Sequence, residues 1–312
     1  MKYQINKVDF FQVQDLEIGE NILESLTQIS ELDYVESISI SRDIHYCSDI
    51  PVGTKVVANR FNAKWIGADI GCGVSITKLT KGTIDKLNID YLQNELNKGD
   101  YHSFNLGTIG GGNHFVEFGI DKDENEYVTI HTGSRSHGGM ISEIIQEFDL
   151  DDNLKYKLYE KSLDFAKLNH QMLLRKINPN IKLQNVYHHN YMERTDATFT
   201  HYKGSLNGRQ GKHLYPIPAN MRDGVYLCVP LEDGFHMPHG AGRSLRRRDA
   251  LEQLTDIDIK EQTSHLKNEV LFKNRDELPS TYKDINLVLN PLVEAKKIRI
   301  INHIQPILNF KG

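Results

Sequence analysis

The stretch YVTIHTGSRSHGG, Tyr127 to Gly139, alternates apolar and polar residues at first and then becomes rich in glycine and serine. The alternation predicts a half-buried β-strand, and the residues that follow predict a loop. His131 therefore stands near the end of a strand, directly before a loop that carries Ser134 and Arg135. Loops held by a rigid scaffold are where binding and catalytic residues are concentrated, so this junction is a candidate functional site.

Strand-like and helix-like segments alternate along the rest of the chain. Other β-rich segments are PVGTKVVANR from Pro51, GVSITKLT from Gly73, GVYLCVP from Gly224 and the C-terminal IRIINHIQPILNFKG. Helical periodicity predicts helices at Asn21–Ile29, Ile84–Leu96, Asp152–Ile177 and Ser244–Leu254. Because no regular βαβ rhythm joins these segments, we predict an α+β fold in which helices surround mixed sheets.

Bulk properties limit the class of protein. The 312 residues suffice for one large domain or two modest ones. The N-terminus lacks the basic-then-apolar layout of a signal peptide, and no apolar run has the length of a membrane span, so we expect a cytoplasmic protein. The net charge of −5 argues weakly against broad coating by nucleic acid, although clustered arginines still allow a local basic groove.

Several acidic, thiol and imidazole side chains lie in glycine-, serine- or asparagine-rich contexts. The candidate metal ligands are Asp69, Cys72, His114, His131 and His189. Such mixed oxygen, sulfur and nitrogen donors suit zinc, manganese or iron, and one thiolate can bridge two ions. Any one of these histidines alone is more readily explained as an ordinary surface or core residue, so the prediction requires that the clusters converge.

Two glycine-rich stretches are candidate anion sites. In GTIGGGNHFVEF, the glycines Gly110 to Gly112 predict either a phosphate-binding loop or a tight turn, and the sequence is neither GxGxxG nor a P-loop. In MPHGAGRSLRRRDA, Met237 to Ala250, a glycine loop precedes a predicted helix, whose N-terminus attracts phosphate. There Arg243 can clamp an oxygen and His239 can act as a nucleophile toward phosphorus.

These motifs together resemble one known family. GADIGCGV, GTIGGGNHFVEF, HTGSRSHGG, HHNY, HGAGR and a terminal KG resemble, in this order, the RtcB RNA-splicing ligases. DIHYCSDIPVGT at 43–54 is similar to the family's DxHxGxxxPxGT motif, and TYKDI at 281–285 to its AYKDI-like segment. The resemblance extends from about Asp43 to Gly312, and it implies a single RtcB-like catalytic domain over residues 1–312, acting as a monomer.

The resemblance also implies a reaction. Family members join an RNA 3′-phosphate or 2′,3′-cyclic phosphate to a 5′-hydroxyl, in RNA repair or tRNA splicing, with GTP and two Mn²⁺ ions. It implies that His239 is guanylylated and that manganese is held by Asp69, Cys72, His114, His131 and His189, with Cys72 as the bridge. It assigns guanosine and phosphate contacts to Asn113, Glu117, Ala241, Gly242, Tyr282 and Lys311. It assigns RNA or phosphate contacts to Arg135 and Arg243, and it leaves Asp43 with a less certain role.

The chain departs from the family pattern at three places. Tyr46, Cys47 and Ser48 stand where glycine is usual, Arg246 replaces a serine, and IPANMRDGV at 217–225 replaces a PGSMGTxS-like segment. Two alternatives therefore stay open. One is a metal-dependent RNA-end phosphoesterase that does not require GTP, and the other is a non-catalytic RNA-binding paralogue.

Overall fold

Helices and strands are both abundant in the computed structural model, which describes residues 3–96, 105–211, 213–270 and 272–312. The strands are β1 Val8–Asp9, β2 Val35–His45, β3 Val52–Ala58, β4 Gly73–Lys78, β5 Phe115–Ile120, β6 Glu126–Thr132, β7 Tyr187–His188, β8 Asn190–Thr195, β9 Thr198–Lys203, β10 Ser205–Gly208, β11 Tyr215–Pro218, β12 Val225–Pro230, β13 Phe235–Pro238 and β14 Ile298–Lys311. The α-helices are α1 Glu20–Ser30, α2 Ile89–Leu96, α3 Ser136–Glu147, α4 Asp152–Ile177, α5 Arg247–Gln253, α6 Asp256–Thr263 and α7 Ile285–Glu294. The prediction of an α+β fold is confirmed.

The strands of the described ranges form three sheets. The largest has the order β11-β12-β14-β5-β6-β4-β7, and its pairs are antiparallel. A second sheet has the order β1-β2-β3-β9-β8, and β10 pairs with β13. Within the largest sheet, β4 lies between β6 and β7, so that Gly73 is opposite both Thr132 and His188. This register brings the ends of three strands to one place.

Helices cover the large sheet through apolar side chains. Leu173 and Leu174 of α4 are fully buried in the same cluster as Phe118 of β5 and Phe310 of β14. Burying each such side chain contributes about 1.5 to 3 kcal/mol to folding, so this layer anchors the sheet that carries the predicted ligands. The Asp151 carboxylate accepts hydrogen bonds from two backbone N–H groups in the first turn of α4, which fixes where that helix begins.

Two predicted helices differ from the structure. The segment Ile84–Leu96 divides into a 3₁₀ turn at Ile84–Lys86 and the helix α2, whereas Asp152–Ile177 is a helix over its predicted length. The predicted helix Ser244–Leu254 is shorter, because Arg243 forms a β-bridge with Tyr282 and Arg246 has an extended backbone, with φ −67° and ψ 149°. The N–H groups of Ser244 and Leu245 donate to Thr281 O, which holds this extended segment in place. Helix α5 therefore begins at Arg247, and the HGAGR segment does not lead directly into it.

In the described ranges, no helix combines the length and the apolar character that crossing a bilayer requires. The single catalytic domain over residues 1–312 stays a prediction.

Candidate active site

A cavity of about 860 Å³ lies where the ends of several strands meet. Its lining includes every predicted site residue except Arg135. Among these are the five candidate metal ligands, His239, and the residues that the resemblance assigns to guanosine and phosphate. Residues more than 200 positions apart in the sequence thus share one pocket.

The register of the large sheet explains how the candidate ligands meet. Cys72 directly precedes β4, His131 lies near the end of β6, and His189 directly follows β7. The Cys72 Sγ is 3.2 Å from His131 Nε2 and 3.4 Å from His114 Nε2, and His131 Nε2 is 3.3 Å from His189 Nε2. The ligand atoms of Cys72, His114 and His131 all lie within 4.8 Å of one another, and the three residues are buried.

Backbone carbonyls set the tautomers of two of these rings. His114 Nδ1 is 3.1 Å from Ile109 O, and His131 Nδ1 is 3.1 Å from Asn113 O. A carbonyl oxygen only accepts hydrogen bonds, so each Nδ1 carries the proton and each Nε2 directs its lone pair at Cys72. Burial lowers the pKa of His131 well below its usual range, which keeps this imidazole neutral. Metal-binding histidines are commonly oriented in this way.

The Asp69 carboxylate lies beside these histidines and also favours a cation. Its Oδ2 is buried without a hydrogen-bond donor and lies 2.9 Å from His114 Nε2. With the proton on His114 Nδ1, this contact brings two electron-pair donors face to face, which a positive ion between them would stabilise. Burial, and then the nearby Asp69 charge, raise the pKa of the Cys72 thiol well above its usual range. These residues therefore fit a metal ion, whose charge would offset both effects.

The neighbouring histidines are used differently. His188 Nδ1 contacts Gly71 O at 2.7 Å, and His170 contacts Ser75 Oγ at 2.8 Å and Thr132 O at 3.1 Å. These ring nitrogens thus already have hydrogen-bond partners in the backbone or in a hydroxyl group. By contrast, the ring of His189 lies 5.1 Å from that of His131 and 4.8 Å from that of His239.

His239 follows β13 and is held by a buried carboxylate. Its Nδ1 lies 2.6 Å from Asp43 Oδ2, and its backbone N–H donates to the same oxygen at 2.9 Å. The Ser41 hydroxyl donates to the other Asp43 oxygen. Burial tends to raise the Asp43 pKa, but His239 and Ser41 outweigh this and hold the pKa below its usual range. The ionised carboxylate can only accept, so Nδ1 of His239 donates and Nε2 carries the lone pair.

A glycine allows this close approach. Gly242 has φ +73°, and a Cβ at this position would collide with the backbone of Asp43. A side chain there would push the HGAGR segment away from Asp43, so the glycine is required by the contact that orients His239.

A different part of the cavity collects cations around Glu277, which is 1% exposed. Lys311 Nζ lies 3.1 Å from Glu277 Oε2, while Arg243 Nη1 and Arg247 Nη1 lie 3.1 Å and 2.5 Å from Oε1. The Tyr282 hydroxyl also donates to Oε2. Burial tends to raise the Glu277 pKa, but Lys311, Arg247 and Arg243 together lower it to about 2.

Glu117 is a second buried carboxyl of the cavity, and its pKa is shifted in the opposite direction. Asn309 Nδ2 donates to Glu117 Oε2 at 2.7 Å, and Oε1 is buried without a partner. Burial raises the pKa of Glu117 to about 8, against the lowering influence of Asn309 and Lys311. An unpartnered buried oxygen that lines a cavity is suited to a ligand hydrogen bond.

Comparison with known proteins agrees with this geometry. The family described as tRNA-splicing ligase RtcB matches residues 80–175 and 157–312. The chain belongs to the RtcB family. It is 26% identical to the RNA-splicing ligase RtcB2 of Escherichia coli, in an alignment that covers 96% of this chain and 94% of that protein.

Other RtcB relatives align over a smaller part of each chain. The RNA-splicing ligase RtcB of another Escherichia coli strain is 25% identical, over 70% of this chain and 63% of its own length. The tRNA-splicing ligase RtcB of Nanoarchaeum equitans is 26% identical, over 66% of this chain and 60% of its own length. At such identities, residue roles in this RtcB chain are argued from its own geometry.

The resemblance assigns RNA or phosphate contacts to Arg135 and Arg243, and both guanidinium groups have hydrogen-bond partners within the protein. Arg135 is 1% exposed and lies outside the cavity lining; its guanidinium donates to Thr108 Oγ1 and Asn105 O. Its backbone N–H donates to Asp69 Oδ1 at 2.5 Å, so Arg135 positions a candidate ligand. Arg243 lines the cavity, and its guanidinium donates to Glu277 Oε1, Asp276 O and Leu245 O. Its contact with RNA or phosphate stays a prediction.

Two residues of this RtcB site were not predicted with a role. The sequence places Asp43 at the start of the motif at 43–54 without a defined role, although it determines which nitrogen of His239 is protonated. No sequence motif indicates Glu277. The signal available in the sequence was charge balance, because the arginines and lysine that converge on one pocket require a buried acid.

Proposed function

We propose that this RtcB-family chain is an RNA ligase that joins an RNA 3′-phosphate or 2′,3′-cyclic phosphate to a 5′-hydroxyl through a covalent histidine–GMP intermediate. We further propose that it acts as a monomer in the cytoplasm, in RNA repair or tRNA splicing. The observation that carries the proposal is His239, whose Nδ1 is fixed by the buried Asp43 at 2.6 Å and whose ring lies 4.8 Å from that of His189. A nucleophile oriented by a carboxylate thus stands beside a cluster of metal-type donors.

The donor cluster would hold the metal. Two Mn²⁺ ions would be held by Asp69, Cys72, His114, His131 and His189. The Cys72 sulfur lies beside both His114 and His131, so it would take part in holding the metal with either of them. When bound, the ions would neutralise negative charge on the reacting phosphates.

The chain's own residues supply the covalent step. The lone pair of His239 Nε2 attacks the α-phosphorus of GTP; a P–N bond forms, the bond to the leaving oxygen breaks, and pyrophosphate departs. Asp43 stabilises the imidazolium that develops, since it already holds the Nδ1 proton. The positioned nucleophile makes this step effectively unimolecular within the complex.

Transfer to RNA completes the reaction. An oxygen of the RNA 3′-phosphate attacks the phosphorus of the histidine-bound GMP, so the P–N bond breaks, His239 is regenerated and GMP is linked to the RNA end. The 5′-hydroxyl then attacks the RNA phosphorus, GMP leaves and a phosphodiester remains. A cyclic phosphate must first be hydrolysed to a 3′-phosphate, which consumes one water.

Recognition of GTP is proposed for residues of the same cavity. The unpartnered Oε1 of Glu117 offers a hydrogen bond to the polar edge of guanine, with Asn113 nearby in the lining. Ala241 and Gly242 let the nucleotide approach the backbone closely. Tyr282 and Lys311, which meet at Glu277, would contact phosphate or guanosine.

An adduct assay tests the proposal. With GTP labelled at the α-phosphate and Mn²⁺, we expect an acid-labile protein–GMP adduct that His239→Ala does not form. Asp43→Asn should slow adduct formation by about ten-thousandfold, because the amide no longer enforces the required tautomer. His213→Ala is the matched control, since His213 is exposed and outside the cavity lining. An equal adduct yield from His239→Ala and the wild type would overturn the proposal.

The same preparation separates the alternatives. Release of phosphate from RNA ends without GTP, persisting in His239→Ala, would indicate a phosphoesterase. Binding of RNA with neither adduct nor phosphate release would indicate a non-catalytic paralogue. GTP-dependent joining of 3′-phosphate and 5′-hydroxyl ends is the result we expect.

A further inference from the structure

Two segments in which the chain departs from the family pattern contact each other. Tyr46 directly precedes Cys47, which stands at the glycine position of the DxHxGxxxPxGT motif, and Arg246 replaces a serine 200 positions beyond Tyr46 in the sequence. The guanidinium carbon of Arg246 lies 5.3 Å from the centre of the Tyr46 ring, within the range of a cation–π interaction. Both side chains line the cavity that contains His239.

The backbone holds this pair beside the nucleophile. The N–H of Lys283 donates to Gly242 O at 2.9 Å, and the Lys283 ammonium donates to Ile44 O at 2.6 Å. One residue thus ties the segment that carries Tyr46 to the segment that carries Arg246. His45, which directly precedes Tyr46, has its ring stacked 6.2 Å from that of His239.

Arg246 differs from the other arginines of its segment. Arg243 and Arg247 pair with Glu277, and Arg248 pairs with Glu252. Among the residues that the structure describes, no carboxylate pairs with Arg246, and its guanidinium lies over the Tyr46 ring. Its charge is therefore available to a phosphate of an incoming ligand.

Exposure shows which ligand the pair faces. Tyr46 is 46% exposed although Arg246 lies over its ring, whereas Glu117 is 3% exposed. A mononucleotide can lie wholly within the cavity. An RNA chain must cross its rim to bring a terminal phosphate to His239, and an aromatic ring beside a cation is what binds single-stranded RNA through base stacking and phosphate contact.

We propose that Tyr46 and Arg246 form a binding subsite for the RNA nucleotide next to the reacting 3′-phosphate end, with the base stacked on Tyr46 and a backbone phosphate on Arg246. The inference rests on the proposed ligase function and concerns RNA affinity alone. The pair recognises a base and a phosphate without selecting a sequence, because every base offers a π face.

The test measures the affinity of a short single-stranded RNA with a 3′-phosphate and a 5′ fluorophore, by fluorescence anisotropy in Mn²⁺ without GTP. Tyr46→Ala should weaken binding about tenfold, as expected for loss of one base stack, and Tyr46→Phe should restore most of it. Arg246→Ser should weaken binding and reduce the slope of log affinity against log salt by about 0.7, the value for one phosphate contact on a single strand.

Matched controls isolate the pair. Arg248→Ala removes the same charge from an exposed arginine outside the cavity lining, and should leave both affinity and salt slope at wild-type values. An RNA that lacks its 3′-terminal base should bind the wild type about tenfold more weakly, and Tyr46→Ala should not weaken it further, because the stack is already absent.

The outcomes distinguish this inference from the proposed function. If the wild type forms the GMP adduct while Tyr46→Ala and Arg246→Ser bind RNA within twofold of Arg248→Ala, the subsite is overturned and the ligase proposal stands. If both variants lose RNA affinity as described while the wild type forms no adduct, the ligase proposal fails and the RNA subsite stands. The subsite would also be overturned if Tyr46→Ala and Arg246→Ser bound RNA as tightly as the wild type and differed from it only in the amount of GTP that adduct formation requires.

Discussion

Two parts of one cavity have opposite electrostatic character. The donor wall consists of Asp69, Cys72, His114, His131 and His189. The cation wall consists of Arg243, Arg247, Lys311 and the carboxylate of Glu277 that joins them. The donor wall gathers lone pairs with no cation among its described members, whereas the cation wall neutralises part of its charge internally.

The two walls therefore favour ligands of opposite charge: the donor wall favours a cation, and the cation wall favours an anion. A positive ion would stabilise the donor wall, because it would lie between lone pairs that face one another. In the cation wall, three cations face the carboxylate of Glu277, and Asp276, which lies beside the wall, pairs with Arg247, so one positive charge is left. That wall keeps its geometry without a ligand and still attracts an anion. A reaction that brings together metal ions and a polyphosphate needs both behaviours.

The largest expected effect comes from breaking the cation wall with Glu277→Gln. Lys311, only 6% exposed at its side chain, would be left without its carboxylate, while Arg247 at 42% can still be solvated. We expect a loss of about 3 to 5 kcal/mol in the free energy of unfolding, measured by chemical denaturation, because removing one partner leaves buried charge uncompensated.

The control for this prediction is Asp276→Asn, which removes a carboxylate that pairs with Arg247 alone and should cost less. Added sulfate should recover more stability in Glu277→Gln than in the wild type, since an anion can replace the lost charge. Equal costs for the two variants would show that Glu277 is not the centre of the wall.

A smaller effect, on ligand affinity, is expected from Cys72→Ala in the donor wall. The variant should bind Mn²⁺ at least about 100-fold more weakly by calorimetric titration, and should lose the thiolate-to-metal absorption that Co²⁺ would show in the wild type. Cys228→Ala is the matched control, because Cys228 is equally buried but lies within β12 outside the cavity. If Cys72→Ala bound Mn²⁺ as tightly as the wild type, the Cys72 thiol would not be a metal ligand.

The two walls were not equally predictable from sequence. The donor wall was predicted residue by residue, because glycine, serine and asparagine contexts mark loops and because histidine and cysteine are conspicuous there. The convergence of the side chains was not, since Cys72 and His189 meet only through the register that places Gly73 opposite Thr132 and His188. Such pairing is non-local, and no short window of sequence encodes it.

The cation wall was predicted in part. Lys311, Tyr282 and Arg243 were expected to contact ligand, but Glu277 lies in RDELPS without a glycine, a histidine or a motif of its own. The same limit applies to the helix expected at Ser244–Leu254. Its local pattern is helical, yet hydrogen bonds to Thr281 engage the backbone before Arg247. In both cases a distant segment decides the outcome.

The last comparison is between the two buried carboxyls, and it gives the smallest effect. Three cations hold the pKa of Glu277 at about 2, whereas burial raises the pKa of Glu117 to about 8. Between about pH 4.5 and pH 8, Glu117 therefore keeps its proton in the folded protein, whereas the unfolded chain, with the usual pKa of 4.5, has released it. The stability contributed by this proton is fully present below about pH 4.5 and is lost as pH rises toward about 8.

Glu117→Gln removes this dependence, because glutamine resembles the protonated carboxyl and does not titrate. We expect the variant to be less stable than the wild type around pH 4.5, by the cost of burying its amide nitrogen, and to gain a growing advantage toward pH 8. At neutral pH the gain should be only about 1 kcal/mol, because the new amide nitrogen replaces an oxygen that has no partner and its own burial offsets part of the gain. Unfolding free energies measured across this range test the sign: a difference that is flat with pH, or that favours the wild type at pH 8, would mean that Glu117 is ionised in the fold. The contrast between the two carboxyls would then be lost, and an ionised Glu117 would belong with the anionic groups of the donor wall.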